Sequence, residues 1–536
     1  MRRDIDRLLE GPFDLLIVGG GIVGAGIAWD AAGRGLRVVL VEQEDFASGT
    51  SSKTTKLIHG GIRYLENLDF RLVREAIRER QLLLTAAPHL VSPLPFLIPV
   101  AGKFPRPWPM VRAGVSLYGF LAGRSGIPGH RFLSRQTVLR EEPILSESSV
   151  EKGAVYYDAQ MDDARMVWEV LFCAMEKGAV AANHLQVQRW IMEEGRIRGA
   201  ELKDRVSGRL FSVSARVIVN ATGPWSDRLR CLADPRSAPI VRPSKGIHLV
   251  YPDIGLRHAL LLSSGKDNRI FFLIPWRGMT LIGTTDTDYQ GDPGQAHADA
   301  EDVNYLLESS NRIAPRLRLL KERIISTFAG VRPLIARDQK DPWAVSRSHL
   351  IHQDSNGLLS VVGGKFTTFR RTAEEVVNRV CALLPDRKTA ACVTTGSPIG
   401  YRPSTVSKKG IHASALFLVE KGILEPAAVE RLIKRYGIQT PLLFDAIKQD
   451  PSLAAPLCSH HPFLAAEVRF AVEHEMAVTL ADLLQRRFQV DCSPCRGFDM
   501  LPACAQLMGA LLGWSAERRQ EMTAQVRRQL LGMVNQ

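Results

Sequence analysis

The chain has 536 residues, which is enough for two or three domains and at least one large buried core. Apolar residues make up 45% and charged residues 23%, and these fractions exclude extensive disorder. The formal net charge of +13 favours anionic ligands or surfaces, but the basic residues form no arginine-rich tail, so we expect no nucleic-acid partner.

Cysteine usage and hydropathy predict the compartment. The 8 cysteines are irregularly spaced and do not resemble a disulfide framework, which favours a reducing environment. The N-terminal segment lacks the apolar region and cleavage site of a signal peptide. No stretch reaches the roughly 18 to 20 apolar residues of a spanning helix. We therefore expect a cytoplasmic protein that meets a membrane at its surface.

The first predicted unit is a strand, a glycine turn, a helix and a second strand. An apolar strand over Leu15 to Val18 enters the turn, and the strand over Leu36 to Val41 follows an alanine-rich helix. Three glycines in GxGxxG spacing and an acidic residue complete the unit: Gly19, Gly21, Gly24 and Glu42. Such a unit binds a pyrophosphate at the helix N-terminus and a ribose at the acid, so we predict a dinucleotide site.

Later glycine turns favour FAD over NAD. One apolar strand runs into Ala221 and Gly223, and another enters Gly364 before a further helix. Strands that return this late to glycine turns indicate one sheet built from distant segments around a long ligand. The helix N-terminus near Thr367 and Thr368 is expected to face the flavin ring, where its dipole favours the reduced, anionic form.

The remaining elements are read from periodicity and composition. Apolar residues recur on one side of Phe70 to Ala87, which predicts an amphipathic helix. Residues 92 to 109 are rich in proline and are interpreted as a crossing between domains. Residues 405 to 536 have no strand pattern and are predicted to be helical.

Six separated motifs resemble one family. They are TSSKTTKLIHGGIRYLE (50 to 66), NATGPW (220 to 225), KGIHLV (245 to 250), IGTTDTD (282 to 288), GVRPL (330 to 334) and GGKFTT (363 to 368). In this order they are similar to the FAD-dependent, quinone-linked glycerol-3-phosphate dehydrogenases. Residues 467 to 487 resemble the family's helical C-terminal domain, and the main departure is about 488 to 505.

The resemblance implies an α/β fold with a discontinuous Rossmann-like FAD-binding domain, a mixed-sheet substrate domain and a helical C-terminal domain. The FAD-binding domain is expected over residues 1–103, 156–240 and 346–395. The substrate domain takes 104–155 and 241–345, and the helical domain takes 400–536.

The resemblance also implies an activity. FAD would accept a hydride at N5 from C2 of sn-glycerol 3-phosphate, giving dihydroxyacetone phosphate, and electrons would pass to membrane quinone. Two alternatives share this chemistry: an oxidase that uses oxygen, and the catalytic subunit of a multi-subunit anaerobic dehydrogenase. A flavin-dependent amine or amino-acid oxidase is the alternative from another class. Cations suited to phosphate argue against that alternative.

Site residues follow from the same motifs. Besides the residues already named, the resemblance assigns Ser51, Ser52, Lys56, His59 and Lys365 to cofactor binding. Substrate binding is expected from Arg63, Tyr64, Arg332 and Lys365, because arginine matches two phosphate oxygens at once. Catalysis is expected from His248, Arg332 and Lys365, with His248 as the general base because such a base needs a pKa near working pH. Lys365 or water remains an alternative for the base.

Two cysteine-containing segments have no place in this scheme. Cys458-Ser-His460-His461 and Cys492-Ser-Pro-Cys495 invite a metal or iron–sulfur interpretation, but no second cysteine pair stands at a suitable spacing. We interpret them as incidental thiols and expect no metal.

Residues 104 to 124 are expected to contact a membrane. They mix aromatic and aliphatic residues with Arg106, Arg112 and Arg124, a combination typical of docking on an anionic surface. The alternative is that this run packs inside the substrate domain. The expected partners are thus glycerol 3-phosphate, quinone, the inner face of the cell membrane and a second copy in a homodimer.

Overall fold

The computed structural model describes residues 3–101, 106–123, 127–264, 267–336, 349–400 and 408–532. Within these ranges the strands are β1 (Phe13–Val18), β2 (Val38–Val41), β3 (Leu57–Ile58), β4 (Val91–Val100), β5 (Arg131–Ser134), β6 (Lys152–Met161), β7 (Val180–Ala182), β8 (Leu185–Glu193), β9 (Arg196–Asp204), β10 (Leu210–Asn220), β11 (Val241–Pro252), β12 (Ala259–Ser263), β13 (Ile270–Trp276), β14 (Met279–Gly283), β15 (Thr287–Asp288), β16 (Ser326–Ile335), β17 (His349–Gln353) and β18 (Leu359–Gly363). The helices are α1 (Ile22–Gly33), α2 (Phe70–Ala86), α3 (Trp108–Ala122), α4 (Arg135–Glu141), α5 (Asp163–Glu176), α6 (Ser226–Ala233), α7 (Ala300–Ile313), α8 (Phe369–Ala382), α9 (Lys408–Glu420), α10 (Pro426–Tyr436), α11 (Thr440–Gln449), α12 (Ala465–His474), α13 (Leu501–Leu512) and α14 (Ala516–Gly532).

The first sheet is a parallel, Rossmann-like sheet. Its order is β17-β18-β10-β1-β2-β7, and the pairings from β18 to β7 are parallel. β17 pairs antiparallel at the edge, and β8 and β9 extend β10 as an antiparallel ribbon. All six residues of β1 are buried, as expected for a central strand with both faces covered. This sheet confirms the predicted FAD-binding fold.

The second sheet is mixed, as predicted for the substrate domain. Its order is β15-β11-β14-β13-β12-β4-β6-β3, with β16 on β11 and β5 on β6. β12 pairs parallel with β4, and the other pairings are antiparallel. β3 and β4 belong to this sheet although they precede residue 104, and β6 crosses residue 155. The division into segments stays a prediction, and its boundaries at 103/104 and 345/346 fall outside the described residues.

Two predictions for the middle of the chain had different outcomes. The amphipathic helix is confirmed as α2, which Asp69 caps by accepting a hydrogen bond from the Leu72 N–H. The interpretation of the proline-rich run as a crossing between domains is wrong, because residues 91–100 form the strand β4. Its prolines, Pro93, Pro95 and Pro99, have the same parity, so their missing N–H groups lie on one side of the strand. On one side, β6 pairs with β4 along its whole length, whereas on the other side β12 pairs with only two of its residues. One side of β4 therefore makes few hydrogen bonds that a proline could remove.

The C-terminal helices form a separate apolar core that joins the first sheet through buried charges. α9 to α14 and the π-helical turn Asp482–Arg487 share this core, and the predicted helical domain is confirmed. Arg487 donates to Asp45, which follows β2, and lies 4.1 Å over the ring of Trp168 in α5. The side chains of Arg487 and Asp45 are 2% and 4% exposed. The two domains therefore share a desolvated ion pair.

Candidate functional site

One cleft opens where parallel strands of the first sheet end. β1, β2, β10 and β18 have their carboxyl ends on the same edge, as parallel strands must. The cleft has a volume of about 1050 Å³. The residues that follow these four strands line it: Gly19, Glu42, Ala221 and Gly364. Four residues that the sequence assigns to one cofactor site thus lie at one edge.

The turn after β1 has no room for side chains at two positions. Gly19 has a φ of +114°, and a Cβ there would lie 2.5 Å from the Ala221 carbonyl oxygen. A Cβ at Gly24 would lie 1.9 Å from the Gly19 carbonyl oxygen, so α1 packs directly on the turn. Gly21 caps α1 and lines the cleft, so the positive end of the helix faces the space where a pyrophosphate would bind.

Side chains around the turn have the chemistry that FAD requires. The Ser51 hydroxyl oxygen accepts a hydrogen bond from the first N–H of α1 at 3.0 Å. The Glu42 carboxylate accepts from the N–H groups of Gly20 at 2.7 Å and Glu44 at 2.9 Å, and burial raises its pKa. The Ser52 hydroxyl is buried and has no hydrogen-bond partner among the described residues. The glycine turn, the Glu42 carboxylate and the Ser51 and Ser52 hydroxyls together suit the pyrophosphate and ribose of FAD.

Lys56 lies in an ion pair away from the wall of the cleft. Its ammonium donates to both carboxylate oxygens of Asp163, at 2.8 and 2.9 Å, and to the Ser52 carbonyl oxygen at 2.7 Å. Both side chains are buried. These contacts tie the 50–56 segment to α5, and the expected contact between Lys56 and the cofactor stays a prediction.

Residues from two distant motifs form a cationic cluster beside the cleft. Lys365 lines the cleft, and its Nζ lies 3.7 Å from the centroid of the Tyr64 ring. The Arg63 guanidinium carbon lies 5.3 Å from the same ring. The His59 backbone N–H donates to the Thr367 hydroxyl at 3.1 Å. The structure therefore brings together five residues that the sequence assigns to substrate and cofactor.

The imidazole in this cluster is neutral at physiological pH. Burial lowers the pKa of His59 to about 4, and Lys365 and Arg63 lower it further against the opposing effect of Asp158. Of the other predicted cofactor residues, Gly223 lines the cleft. Thr368 is buried before α8, and its hydroxyl donates to the Lys365 carbonyl at 3.4 Å.

Arg332 lies on β16 at the border of the cleft, which its neighbour Pro333 lines. Its guanidinium donates to the Thr284 hydroxyl at 2.8 Å, to the Thr285 carbonyl at 3.2 Å and to the Asp286 carboxylate at 3.2 Å. Gly246 on the paired strand β11 makes room for it, since a Cβ there would lie 2.2 Å from Nη2. The guanidinium plane is thus held in a fixed orientation.

His248 is buried next to this arginine. Its ring stacks on Phe328 with centroids 4.9 Å apart, and its Nε2 lies 3.1 Å from the Thr55 hydroxyl. Burial lowers the pKa of His248 to about 3, and Arg332 and Lys56 lower it further. The imidazole is therefore neutral and can accept a proton, but this pKa is well below the working pH at which a base was expected.

Sequence reasoning missed residues that support the site. Thr284 and Asp286 lie in the quoted IGTTDTD motif, yet their bonds to Arg332 depend on strands that meet only in the fold. Lys53 and Arg486 line the cleft. Burial lowers the pKa of Lys53 to about 8, and Arg486 adds to this effect. The SSK run was a signal for Lys53, whereas nothing local predicts that Arg486 from the C-terminal domain reaches the cleft.

Family comparisons cover nearly the whole chain. Residues 14–405 match the family described as FAD dependent oxidoreductase. Residues 398–519 match the family described as C-terminal domain of alpha-glycerophosphate oxidase.

Individual proteins match over similar lengths. The chain is 37% identical to glycerol-3-phosphate dehydrogenase 2 of Mycobacterium tuberculosis over 515 residues, which are 95% of this chain and 86% of that protein. It is 35% identical to a glycerol-3-phosphate dehydrogenase of Synechocystis, covering 96% of each chain. The solved structure of glycerol-3-phosphate dehydrogenase from Bacillus halodurans complexed with FAD superposes with a TM-score of 0.81 at 29% identity, covering 99% of this chain and 97% of that one.

Proposed function

Because the chain belongs to the family of FAD-dependent glycerol-3-phosphate dehydrogenases, we propose that it oxidises sn-glycerol 3-phosphate to dihydroxyacetone phosphate. FAD held by the glycine turn after β1, Glu42 and Ser52 would supply flavin N5 as the acceptor for the hydride that leaves C2. The observation that carries the proposal is Arg332, a rigidly held planar cation at the border of the FAD cleft. Its permanent positive charge in a fixed orientation suits a dianionic phosphate.

Other residues take supporting roles in this proposal. Lys365 and Arg63, grouped around the Tyr64 ring, add positive charge beside the cleft for the substrate phosphate. The neutral His248 imidazole receives the proton of the C2 hydroxyl. The same cations attract a phosphate dianion more strongly than the singly charged carboxylate of an amino-acid substrate.

The electron acceptor is tested by comparing oxidants. We propose that electrons pass to quinone, in line with the dehydrogenase names of the relatives. With glycerol 3-phosphate, turnover with a soluble quinone analogue or a phenazine dye is expected to exceed turnover with oxygen at least tenfold. Hydrogen peroxide formed at the dye-linked rate would identify an oxidase instead. Flavin reduction by glycine or proline, but not by glycerol 3-phosphate, would contradict the substrate.

The base is tested with His248→Gln. Glutamine keeps a polar group but cannot accept the proton, so flavin reduction should slow by roughly 10²- to 10⁴-fold. Because the pKa of His248 is about 3, the base is in its active, neutral form above that pH. The rate of flavin reduction in the parent at saturating substrate should therefore be flat from neutral to mildly acidic pH and fall as the pH drops towards 3, and this acid limb should be absent in the variant.

The control for His248→Gln is His352→Gln, on the partly exposed edge strand β17. It should leave both the rate and the pH profile unchanged. A His248→Gln enzyme with a normal rate of flavin reduction would transfer the role to Lys365 or to water.

We also propose that the protein docks on the inner face of the cell membrane through α3. Among the described residues, no helix combines the length and apolarity needed to cross a bilayer. α3 exposes three apolar side chains, Met110 (46%), Leu117 (36%) and Phe120 (81%). An amphipathic helix with this exposure can enter the acyl boundary beside anionic headgroups. Phe104 and Arg124 of the predicted segment lie outside the described residues.

Vesicle sedimentation tests this docking. The parent should pellet with anionic vesicles, and Met110→Ser/Leu117→Ser/Phe120→Ser should remain in the supernatant, with partial release of the parent at high salt. Leu416→Ser/Phe417→Ser, at exposed apolar positions on α9, is the matched control and should pellet like the parent. Equal sedimentation of both variants would assign the membrane contact to another surface.

A further inference from the structure

The fold brings together the two cysteine-containing segments that the proposed function does not use. A bridge between Pro456 and Leu464 closes the loop that carries Cys458 to His461. The ring of Phe463 stacks on Phe488 with centroids 4.1 Å apart, which sets this loop against the segment that begins after the π-helical turn. The second segment carries Cys492 and Cys495, so residues more than thirty positions apart become neighbours.

Three potential metal ligands converge between the two segments. One ligand atom each from His460, Cys495 and Asp499 lies within 4.8 Å of the other two. The His460 Nδ1 lies 2.6 Å from the Asp499 Oδ2. The His461 Nε2 lies 3.2 Å from the Cys495 Sγ and 2.8 Å from the Ser493 hydroxyl. Three ligand groups of three chemical types therefore converge, and a second imidazole lies next to the thiol.

These separations are close to those of a tetrahedral metal site. Zinc bonds of about 2.0 to 2.3 Å place neighbouring ligand atoms roughly 3.3 to 3.8 Å apart. The 3.2 Å contact is near this range. The His460–Asp499 contact would need to open by roughly 1 Å, which is a small movement for two partly exposed side chains.

The two cysteines of the CSPC segment have different surroundings. The Cys495 thiol faces the imidazole of His461, whereas Cys492 packs against the apolar cluster of the second sheet. Burial strongly raises the pKa of the Cys492 thiol, so it is held in the protonated form that does not bind metal. Cys495 is therefore suited to bind a metal, whereas Cys492 is not, so a variant of Cys492 is a control for a variant of Cys495.

We propose that His460, His461, Cys495 and Asp499 bind one Zn²⁺ ion. A thiolate with two imidazoles and a carboxylate is a ligand set of zinc and not of magnesium or calcium, which take oxygen ligands. Binding releases the Cys495 thiol proton to solvent, and the imidazoles bind in their neutral forms. The ion joins the 458–461 loop to the 493–499 segment and so stabilises a surface of the C-terminal domain.

Cobalt binding to the flavin-loaded, untagged enzyme tests the site. Tetrahedral Co²⁺ with a thiolate ligand absorbs in the red, where oxidised flavin does not. The parent should bind about one Co²⁺ per chain with this absorption, and Zn²⁺ should displace it. Cys495→Ser should lose most of the red absorption and weaken Co²⁺ binding at least tenfold, while Cys492→Ser should match the parent.

The outcomes separate the site from incidental thiols. Parent enzyme without red absorption, or equal Co²⁺ affinity in the parent and Cys495→Ser, would overturn the proposal, as would equal losses in the two cysteine variants. Retained flavin checks that each variant is folded. Asp499→Asn, at an exposed carboxylate whose change leaves the core intact, should also weaken binding, and unchanged affinity in this variant would remove Asp499 from the ligand set.

Discussion

Arg332→Met is expected to lower kcat/KM for glycerol 3-phosphate by roughly 30- to 1000-fold while FAD stays bound. Loss of a charged contact in a partly desolvated site costs on the order of 2 to 4 kcal/mol of transition-state stabilisation. Methionine fills similar volume but removes the positive charge that the substrate phosphate would meet. Steady-state kinetics with a dye acceptor, combined with the flavin spectrum, measures both parts of this expectation.

Two variants separate phosphate recognition from structural damage. Arg332→Lys keeps the charge but not the planar fork, so it should recover part of the lost kcat/KM. Arg242→Met changes an arginine of β11 that pairs with Asp288, and its kcat/KM should be near that of the parent. Arg332→Met also leaves Asp286 buried with the Ser244 hydroxyl as a remaining partner, so thermal stability must be measured alongside. Near-normal kcat/KM in Arg332→Met would contradict the assignment.

Arg487→Met should lower the free energy of unfolding by about 3 to 5 kcal/mol. Removing one member of a buried ion pair leaves the other charge desolvated and uncompensated, which costs more than the pair itself contributes. Here the abandoned charge is Asp45, which lies between the first sheet and the C-terminal helices, whereas Glu475, the other carboxylate beside Arg487, keeps its ion pair with Arg165. Denaturant unfolding monitored by flavin release and by circular dichroism would measure the loss.

The matching experiment removes both charges. Arg487→Met/Asp45→Asn should be more stable than Arg487→Met alone, because no unpaired carboxylate remains at the junction. Arg469→Met, a partly exposed arginine that pairs with Glu473 on α12, should change the free energy of unfolding by less than about 1 kcal/mol. A change this small in Arg487→Met would mean that water reaches the junction and that the two domains are not coupled there.

Features set by short segments could be predicted from the sequence. The GxGxxG turn, Glu42 and the glycine turns at Gly223 and Gly364 each depend on a strand, a turn and a helix that adjoin in the chain. Their convergence in one cleft follows from the rule that parallel strands end at one edge. The helical C-terminal domain could also be predicted, because the periodicity of apolar residues is a local property of the sequence.

Features set by contacts across the fold could not be predicted. The strand β4 is not predicted because prolines normally interrupt strands. The prolines are tolerated because β12, which is distant in the sequence, pairs with only two residues of β4. The ion pair between Lys56 and Asp163 joins residues that are 107 positions apart, so no local pattern predicts it. The convergence of His460 and Cys495 depends on a loop closure and a ring contact that no spacing rule describes.

The order of strands in the first sheet has a consequence for how the protein is made. β1 pairs with β10 and β10 pairs with β18, so the cofactor cleft joins residues 13–18, 210–220 and 359–363. At about 5 to 20 residues per second, a ribosome needs roughly 20 to 70 s to pass from β1 to β18. During that interval the apolar β1 and β2 have emerged without their full set of neighbours. The nascent chain therefore exposes these strands before it can enclose FAD, and we expect its yield in a cell to depend on chaperones during translation and on the flavin supply after it.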